Sequence, residues 1–377
     1  PPEAPSGDGQ PNGEQPPEAP SGDGQPNGEQ PPEAPSGDGQ PNGEQAGAQG
    51  ETVTFTVAES AQASLEEIAE NDVVRVETDE NGEIISLEKL TGQANGGAPA
   101  GGQGGFGGSG EVTQGTAAAT ISTDGTYTKE TYTSTGDDEN ALRVDGAAVT
   151  LNDITVNKSA GSSSNTEDGD FYGMNAALLA TNGAEVTIQN AVVNSSAQNG
   201  NGVFSYGTGT VVNISDSSII TTADNSGGIQ TTGGGTTNAS DLCVETSGNS
   251  SAAIRSDRGG GTVNVDGGSY TSNGYNSPAV YSTANITVKN AALQANNSEA
   301  LVIEGKNSIT LENCDVEGNM SDTKGSSSSE NVHNVMIYQS MSGDAEVGTS
   351  QLSMTGGTLT GENGDLFYIT NTHCVLT

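Results

Sequence analysis

A short pattern of apolar and polar residues recurs eight times between residues 149 and 359. In each copy two alternate positions are apolar, Asn, Asp or Gly follows at a fixed place, and another apolar residue comes three positions later. Alternation marks a strand with one buried face. Asn, Asp and Gly are the residues that best tolerate the left-handed backbone of a sharp bend. The copies begin at Val149, Val186, Val212, Thr237 (a degenerate copy), Val263, Ile286, Ile309 and Leu352.

A second short apolar segment precedes most of the later copies, as in Ala252–Ile254, Pro278–Val280 and Ala300–Val302. Short strands, a bend and a period near 25 residues describe one coil of a parallel β-helix. We therefore expect an all-β body over residues 111–377, with coils about 4.8 Å apart. The longer gaps at 156–176 and 316–335 predict loops that project from the coil. Residues 373–377 resemble the middle of a strand, so we expect a truncation there.

The first 110 residues are organised differently. Residues 1–45 are three identical copies of PPEAPSGDGQPNGEQ. They hold no aliphatic side chain larger than Ala, so we expect a disordered stalk. Residues 46–90 predict a small β mini-domain, with a helical turn opened by Ser64 and a hairpin whose turn is Asp79–Gly82. Residues 91–110 are Gly-rich and predict a flexible linker.

The charge of the chain limits its partners. It has 49 acidic and 10 basic residues, for a formal net charge of −39. Such a body repels nucleic acid and anionic lipid head groups, so we expect neither as a partner. No apolar run reaches the roughly 20 residues of a membrane span. Cys243, Cys314 and Cys374 lack the spacing of a zinc site or a disulfide framework, so we expect small core residues.

The body resembles the right-handed, pectate-lyase-like β-helix superfamily, and more closely the surface β-helix proteins of gut Firmicutes that are described as adhesin-like or carbohydrate-binding. The resemblance covers about 111–377. The stretches that carry it are SSAAIRSDRGGGTVNVDGGSYTSNGYNSPAVYSTANITV (250–288), EALVIEGKNSITLENC (299–314) and MIYQSMSGDAEVGTS (336–350). It implies a right-handed solenoid at a Gram-positive cell surface, either secreted or displayed there, and it implies little about chemistry.

Catalytic patterns of that superfamily are absent from the sequence. The body has only three Arg residues, and neither Arg-x-Pro-x-x-Arg nor Gly-His-Gly occurs. Paired carboxylates for a glycosidase could be drawn from Asp168, Asp170, Asp257 and Glu304, but acids are too common for any pair to stand out. The acidic run Asn165–Asp170 favours a solvated loop over a Ca²⁺ loop. We therefore assign no catalytic residue, metal ligand or cofactor.

One set of side chains follows the recurring second strand. Stacked strands place equivalent residues in one sheet, and aromatic rings with charged neighbours are what a sugar-binding face needs. Ordinary ion pairs between coils are the alternative interpretation. The ligand-binding candidates are Arg255, Asp257, Arg258, Tyr275, Tyr281, Glu304, Lys306, Tyr338 and Tyr368.

These observations lead to three hypotheses for function. The first is a non-catalytic, extracellular adhesin or glycan-binding module whose partners are glycans or the surface of a host or neighbouring cell. The second is a polysaccharide lyase or glycoside hydrolase on the same fold. The third is a purely structural spacer. The sequence leaves the ligand, the anchoring mode and the oligomeric state open.

Overall fold

The computed structural model describes residues 74–78, 84–89, 112–321, 332–340 and 345–377. The predicted stalk and Gly-rich linker, and the helical turn expected at Ser64, lie outside this part of the chain. The chain divides into two units, Pro1–Ala98 and Pro99–Thr377. In the first, strands β1 (Val74–Thr78) and β2 (Ile84–Lys89) pair antiparallel, as expected for the two arms of the predicted hairpin.

The second unit is a parallel β-helix. A full coil holds a front strand, a back strand and a short side strand, and each strand pairs in parallel with its counterpart in the next coil. The ten front strands form one sheet: β4 (Thr120–Ile121), β8 (Leu142–Asp145), β11 (Leu178–Thr181), β14 (Val203–Tyr206), β17 (Ile229–Thr232), β19 (Ile254–Ser256), β21 (Val280–Ser282), β24 (Leu301–Glu304), β26 (His333–Tyr338) and β28 (Asp365–Thr370).

The back and side strands form a second sheet of 15 strands. Four long strands bend through the corner and serve as both back and side strand: β18 (Gly235–Thr246), β20 (Gly261–Ser272), β25 (Ser308–Gly318) and β27 (Thr349–Gly361). The other back strands are β5 (Gly125–Thr128), β9 (Ala148–Asn152), β12 (Glu185–Gln189), β15 (Val211–Ser215), β22 (Asn285–Lys289) and β29 (His373–Leu376). The separate side strands are β6 (Thr131–Ser134), β10 (Thr155–Lys158), β13 (Val192–Ser195), β16 (Ser218–Thr221) and β23 (Ala292–Ala295). A small pair, β3 (Thr116–Ala117) and β7 (Glu139–Asn140), lies apart from both sheets.

The bend between back and side strands has the predicted left-handed backbone in every copy of the pattern. The eight residues at this place have φ between 49° and 78°. Asn190 donates from Nδ2 to Asp153 Oδ1 at 3.3 Å, and Asn313 donates to Asn290 Oδ1 at 3.5 Å. These bonds join corners of successive coils, so polar side chains link neighbouring coils along the outside of the bend.

The core is a stack of aliphatic side chains inside the coils. The second apolar position of the pattern gives one continuous row, in which each residue pairs in register with the next. Its members are Leu151, Ile188, Ile214, Ala239, Val265, Val288, Leu311 and Met354. All but Met354 are buried. A narrow core of small and β-branched residues explains how a chain with 31% hydrophobic residues still folds.

The excursion after β10 differs from the sequence expectation. The acidic run predicted as a solvated loop forms helix α1 (Thr166–Tyr172). Asn165 caps it, because its Oδ1 accepts from the amide of Glu167 at 3.0 Å, and Gly173 ends it at φ 79°. The excursion covers the front sheet, where Leu179 and Phe204 are wholly buried although their row faces outward.

The cysteines are only partly as expected. Cys314 is buried and Cys374 is half-buried, but Cys243 is exposed, so the expectation of a core residue is wrong there. Cys243 lies in register between Ser218 and Ser269 on the outward side of the side strands. No helix within the described ranges is long and apolar enough to cross a membrane.

Candidate functional site

The front strands carry a continuous outward row of side chains, here called the front row. Backbone register places each member directly beside the next. The row reads Arg143, Leu179, Phe204, Gln230, Arg255, Tyr281, Val302, Met336 and Tyr368. A solenoid binds ligands along such rows, because stacked strands repeat the same outward position.

Beyond the edge of α1 the front row lines a pocket of about 290 Å³, here called the front pocket. Ala252, Pro278, Val302 and Met336 give it apolar surface. Its polar and aromatic lining comes from Asp170, Phe171, Asn225, Ser250, Arg255, Asp257, Asn276, Tyr281, Glu299 and Tyr338. An apolar surface with a few convergent polar groups is the usual composition of a small-molecule site.

Arg255 holds one wall of the front pocket in place. Its Nη2 lies 3.1 Å from Asp170 Oδ2 on α1 and 2.7 Å from Asp257 Oδ2. Burial lowers the pKa of Arg255, but the two carboxylates more than offset this, so the pKa lies above its ordinary value. Burial also raises the pKa of Asp170, and Arg255 offsets only part of that rise. Arg255 is therefore a permanently charged anchor for α1.

Glu304 organises the tyrosines of the opposite wall. Its Oε2 accepts from the hydroxyl of Tyr281 at 2.5 Å and from that of Tyr338 at 2.9 Å, and its Oε1 accepts from the hydroxyl of Ser340. Glu304 is only 2% exposed. Burial is the main reason why the pKa values of both tyrosines are raised, so both hydroxyls stay protonated at neutral pH.

A buried pair that the sequence prediction missed lies beside these residues. His333 Nε2 is 3.1 Å from Glu299 Oε1, and Ser298 donates to Glu299 Oε2 at 2.6 Å. Ser298 belongs to a ladder of serines inside the coils, in which each Oγ accepts a hydrogen bond from the backbone amide of the serine one coil before. Ser251 Oγ accepts from the amide of Ser226, and Ser298 Oγ accepts from the amide of Ser277. This ladder positions Glu299 at the edge of the front pocket.

The structure brings together five of the nine predicted side chains: Arg255, Asp257, Tyr281, Glu304 and Tyr338. The other four lie outside the pocket. Arg258 stacks on Phe171, with its guanidinium carbon 4.0 Å from the ring centroid. Lys306 is exposed and lies 3.5 Å from Glu346. Tyr275 is an exposed corner residue. Tyr368 stacks on His333 at 4.9 Å.

The residues missed by sequence reasoning come from two sources. Asp170 and Phe171 reach the pocket on α1, and no repeat pattern relates that helix to the coils. Val302 and Met336 lie in the front row itself, and the alternation of their strands could have identified them. The sequence offers Asp170 only as one of many possible catalytic acids.

The front pocket is electronegative. Four carboxylates line or adjoin it, from Asp170, Asp257, Glu299 and Glu304, against the guanidinium of Arg255 in the lining and that of Arg258 stacked on Phe171. Such a surface disfavours polyanions. Within the described ranges, no three His, Cys, Asp or Glu side chains come together as a metal site would require.

Comparison with known proteins found no match. No protein-family model, curated protein or solved structure matches this chain.

Proposed function

We propose that this protein is a non-catalytic, extracellular surface protein that binds an uncharged sugar in the front pocket. The observation that carries the proposal is the convergence of an apolar surface, two tyrosines and several buried polar side chains in one cavity of the front sheet. At about 290 Å³ the pocket is slightly smaller than the roughly 300–1,000 Å³ of typical ligand sites, which suits one or two sugar units.

The internal bonds of the pocket support binding, because they fix its side chains before a ligand arrives. Arg255 is held by two carboxylates, and the two tyrosine hydroxyls are held by Glu304. Side chains locked by their neighbours lose little conformational freedom on binding. The surface location rests on the Pro-rich repeats and on the resemblance to pectate-lyase-like surface proteins, and both remain part of the proposal.

A lyase that uses Arg255 or a tyrosine of the pocket as its base is the less favoured function. Arg255 stays protonated beside two carboxylates, and burial raises the pKa values of Tyr281 and Tyr338. A general base works best with a pKa near the working pH. A hydrolase that uses the carboxylates Asp257 and Glu304 stays the second candidate, and release of reducing ends from polysaccharides would reveal it.

The test is a variant that fills the pocket without touching its ion pairs. Val302 is 5% exposed and lines the pocket, so Val302→Phe should occlude it. For a neutral oligosaccharide identified on a glycan array, we expect Val302→Phe to weaken binding at least tenfold, about 1.4 kcal/mol.

Ile220→Phe serves as the matched control, because Ile220 is 39% exposed and lies on side strand β16, away from the pocket. It should bind as the wild type does. Equal binding by all three proteins, or no binding to any neutral glycan by the wild type, would refute the proposal. Thermal unfolding of each variant shows whether the fold is retained.

A further inference from the structure

A second outward row runs along the back strands and is here called the back row. Each of its nine members has a hydroxyl or amide side chain and none is charged. They are Thr126, Thr150, Thr187, Asn213, Asn238, Asn264, Thr287, Thr310 and Ser353. The back row belongs to a different sheet from the front row, so it is not part of the front pocket.

The middle of the back row lies in a groove of about 580 Å³. Thr187, Asn213, Asn238, Asn264 and Thr287 line it in register order. A second cavity of about 400 Å³ shares Thr187 and Asn213 with the first and extends the groove to Thr150. The two cavities therefore form one elongated groove over six coils, or roughly 25 Å at the spacing of stacked strands.

The asparagines of the groove form a ladder with hydrogen-bonding capacity left over. Asn238 donates to Asn213 Oδ1 at 2.9 Å, and Asn264 donates to Asn238 Oδ1 at 2.9 Å. An amide nitrogen carries two hydrogens. Each ladder bond uses one of these hydrogens and also fixes the side chain. Each donating Asn therefore keeps one N–H for a ligand, and these N–H groups recur at equivalent positions of successive coils.

The charges of the groove lie at its margins. Glu185 lies toward one end, and Asp266 and Lys289 lie toward the other, where Lys289 also pairs with Glu312 at 2.9 Å. In the centre a ligand meets amides and hydroxyls, together with apolar surface from Ile188, Ile214, Ala239 and Val265. A polyanion would gain no cation there and would meet a body with 29 acidic and 8 basic residues. A long, uncharged polymer rich in hydroxyl groups fits both the shape and the chemistry.

We propose that this groove is a second binding surface, which holds an extended, uncharged β-linked polysaccharide along the axis of the β-helix. Hydroxyls of the sugar units accept from the Asn ladder, because the rise per sugar unit in an extended β-linked chain is close to the spacing of the coils. The front pocket would then take a short sugar, while the groove takes a chain.

The experiment is affinity electrophoresis of the full chain in native gels that contain hydroxyethylcellulose or mixed-linkage β-glucan, with polygalacturonate gels as the charged comparison. We expect the neutral polymers to retard the wild type and polygalacturonate to leave it unretarded. Asn238→Asp keeps the size of the side chain but places a charge in the middle of the groove. We expect it to raise the dissociation constant at least tenfold.

Asn194→Asp is the matched control, because Asn194 forms the same kind of ladder bond, to Asn157 Oδ1 at 3.0 Å, on the side strands. It should bind as the wild type does. Thr187→Glu, at an exposed position of the groove, is the second blocking variant if Asn238→Asp does not fold. Absence of retardation by both neutral polymers, equal loss in Asn194→Asp, or preference for polygalacturonate would overturn the proposal.

Discussion

At the scale of the residue, the bend that follows each back strand decides whether a coil can close. A left-handed backbone costs a residue with a Cβ roughly 1–2 kcal/mol, and Asn, Asp and Gly lower that cost. Asn290 has φ 53°, and its Nδ2 also donates to Asp266 Oδ1 at 2.7 Å. One residue therefore tolerates the left-handed backbone of its own corner and also forms a hydrogen bond to the neighbouring coil.

We expect Asn290→Val to lower the free energy of unfolding by about 1–2 kcal/mol, because a β-branched residue is strained in this conformation. Chemical denaturation followed by circular dichroism measures the change. Asn285→Val is the control: Asn285 lies on β22, the strand that ends just before Asn290, is exposed, and has no positive φ. A loss of equal size in both variants would show that the corner backbone is not the cause.

At the scale of the element, α1 is fixed to coils that lie far from it in sequence. Gln230 donates to the carbonyl of Asp170 at 2.6 Å, and Thr232 donates to the carbonyl of Phe171 at 2.6 Å. Arg255 then pairs with the Asp170 side chain from one coil further on. Three anchors of this kind explain how a helix of seven residues, too short to be stable alone, holds its place on the front sheet.

We expect Arg255→Met to destabilise the protein by about 3–5 kcal/mol at neutral pH, because it leaves the buried Asp170 carboxylate without its cation. Burial then raises the folded-state pKa of Asp170 above the unfolded value without the offset from Arg255. The folded state then binds more protons than the unfolded state, so the loss should shrink as the pH falls toward 4. Chemical denaturation at pH 7 and pH 4.5 measures it.

Arg143→Met is the control for that pH dependence. Arg143 occupies the front row at β8, but its guanidinium donates to Asn140 Oδ1 and to the carbonyls of Gln114, Gly115 and Thr116 rather than to carboxylates. We expect its loss to change little with pH. A loss for Arg255→Met that is equal at both pH values would rule out the carboxylates as its cause.

At the scale of the whole molecule, a narrow core supports a strongly negative surface. Residues 111–377 hold 29 acidic and 8 basic residues. Such an excess of one sign destabilises the compact state through self-repulsion. The exposed ion pairs, such as Lys289 with Glu312, offset little of this.

We expect the melting temperature to rise by several degrees when NaCl is raised from about 0.01 M to about 1 M, since the screening length falls from roughly 30 Å to roughly 3 Å. Differential scanning calorimetry measures the shift. The same rise is expected with KCl, because screening depends on ionic strength rather than on the identity of the ion. A melting temperature that stays constant or falls with salt would show that self-repulsion is not limiting.

Much of the fold was predictable because a solenoid repeats the same sequence pattern in each coil. Each coil has its own alternation of apolar and polar residues and its own bend, so a weak copy of the pattern can be recognised from the copies around it. Even the degenerate copy at Thr237 has its left-handed residue, Asp241 at φ 51°. The convergence of Arg255, Tyr281 and Tyr338 follows from the same regularity.

The features that could not be predicted are those that depart from the repeat. Nothing in the period indicates that the excursion after β10 folds back as a helix, and Asp170 looked like one acid among many until the structure placed it beside Arg255. The side chain of Cys243 faces outward because of its place in the alternation, which outweighs the usual preference of cysteine for the core.

The attachment of α1 also has a mechanical consequence. In a solenoid each coil touches only its neighbours, so a stretching force should peel off one coil after another in small, equal steps. The helix joins its own excursion to Gln230, Thr232 and Arg255, which lie 60 to 85 residues further along the chain. The coils between those points cannot lengthen until the helix detaches, so they should yield together, as one large extension at a higher force.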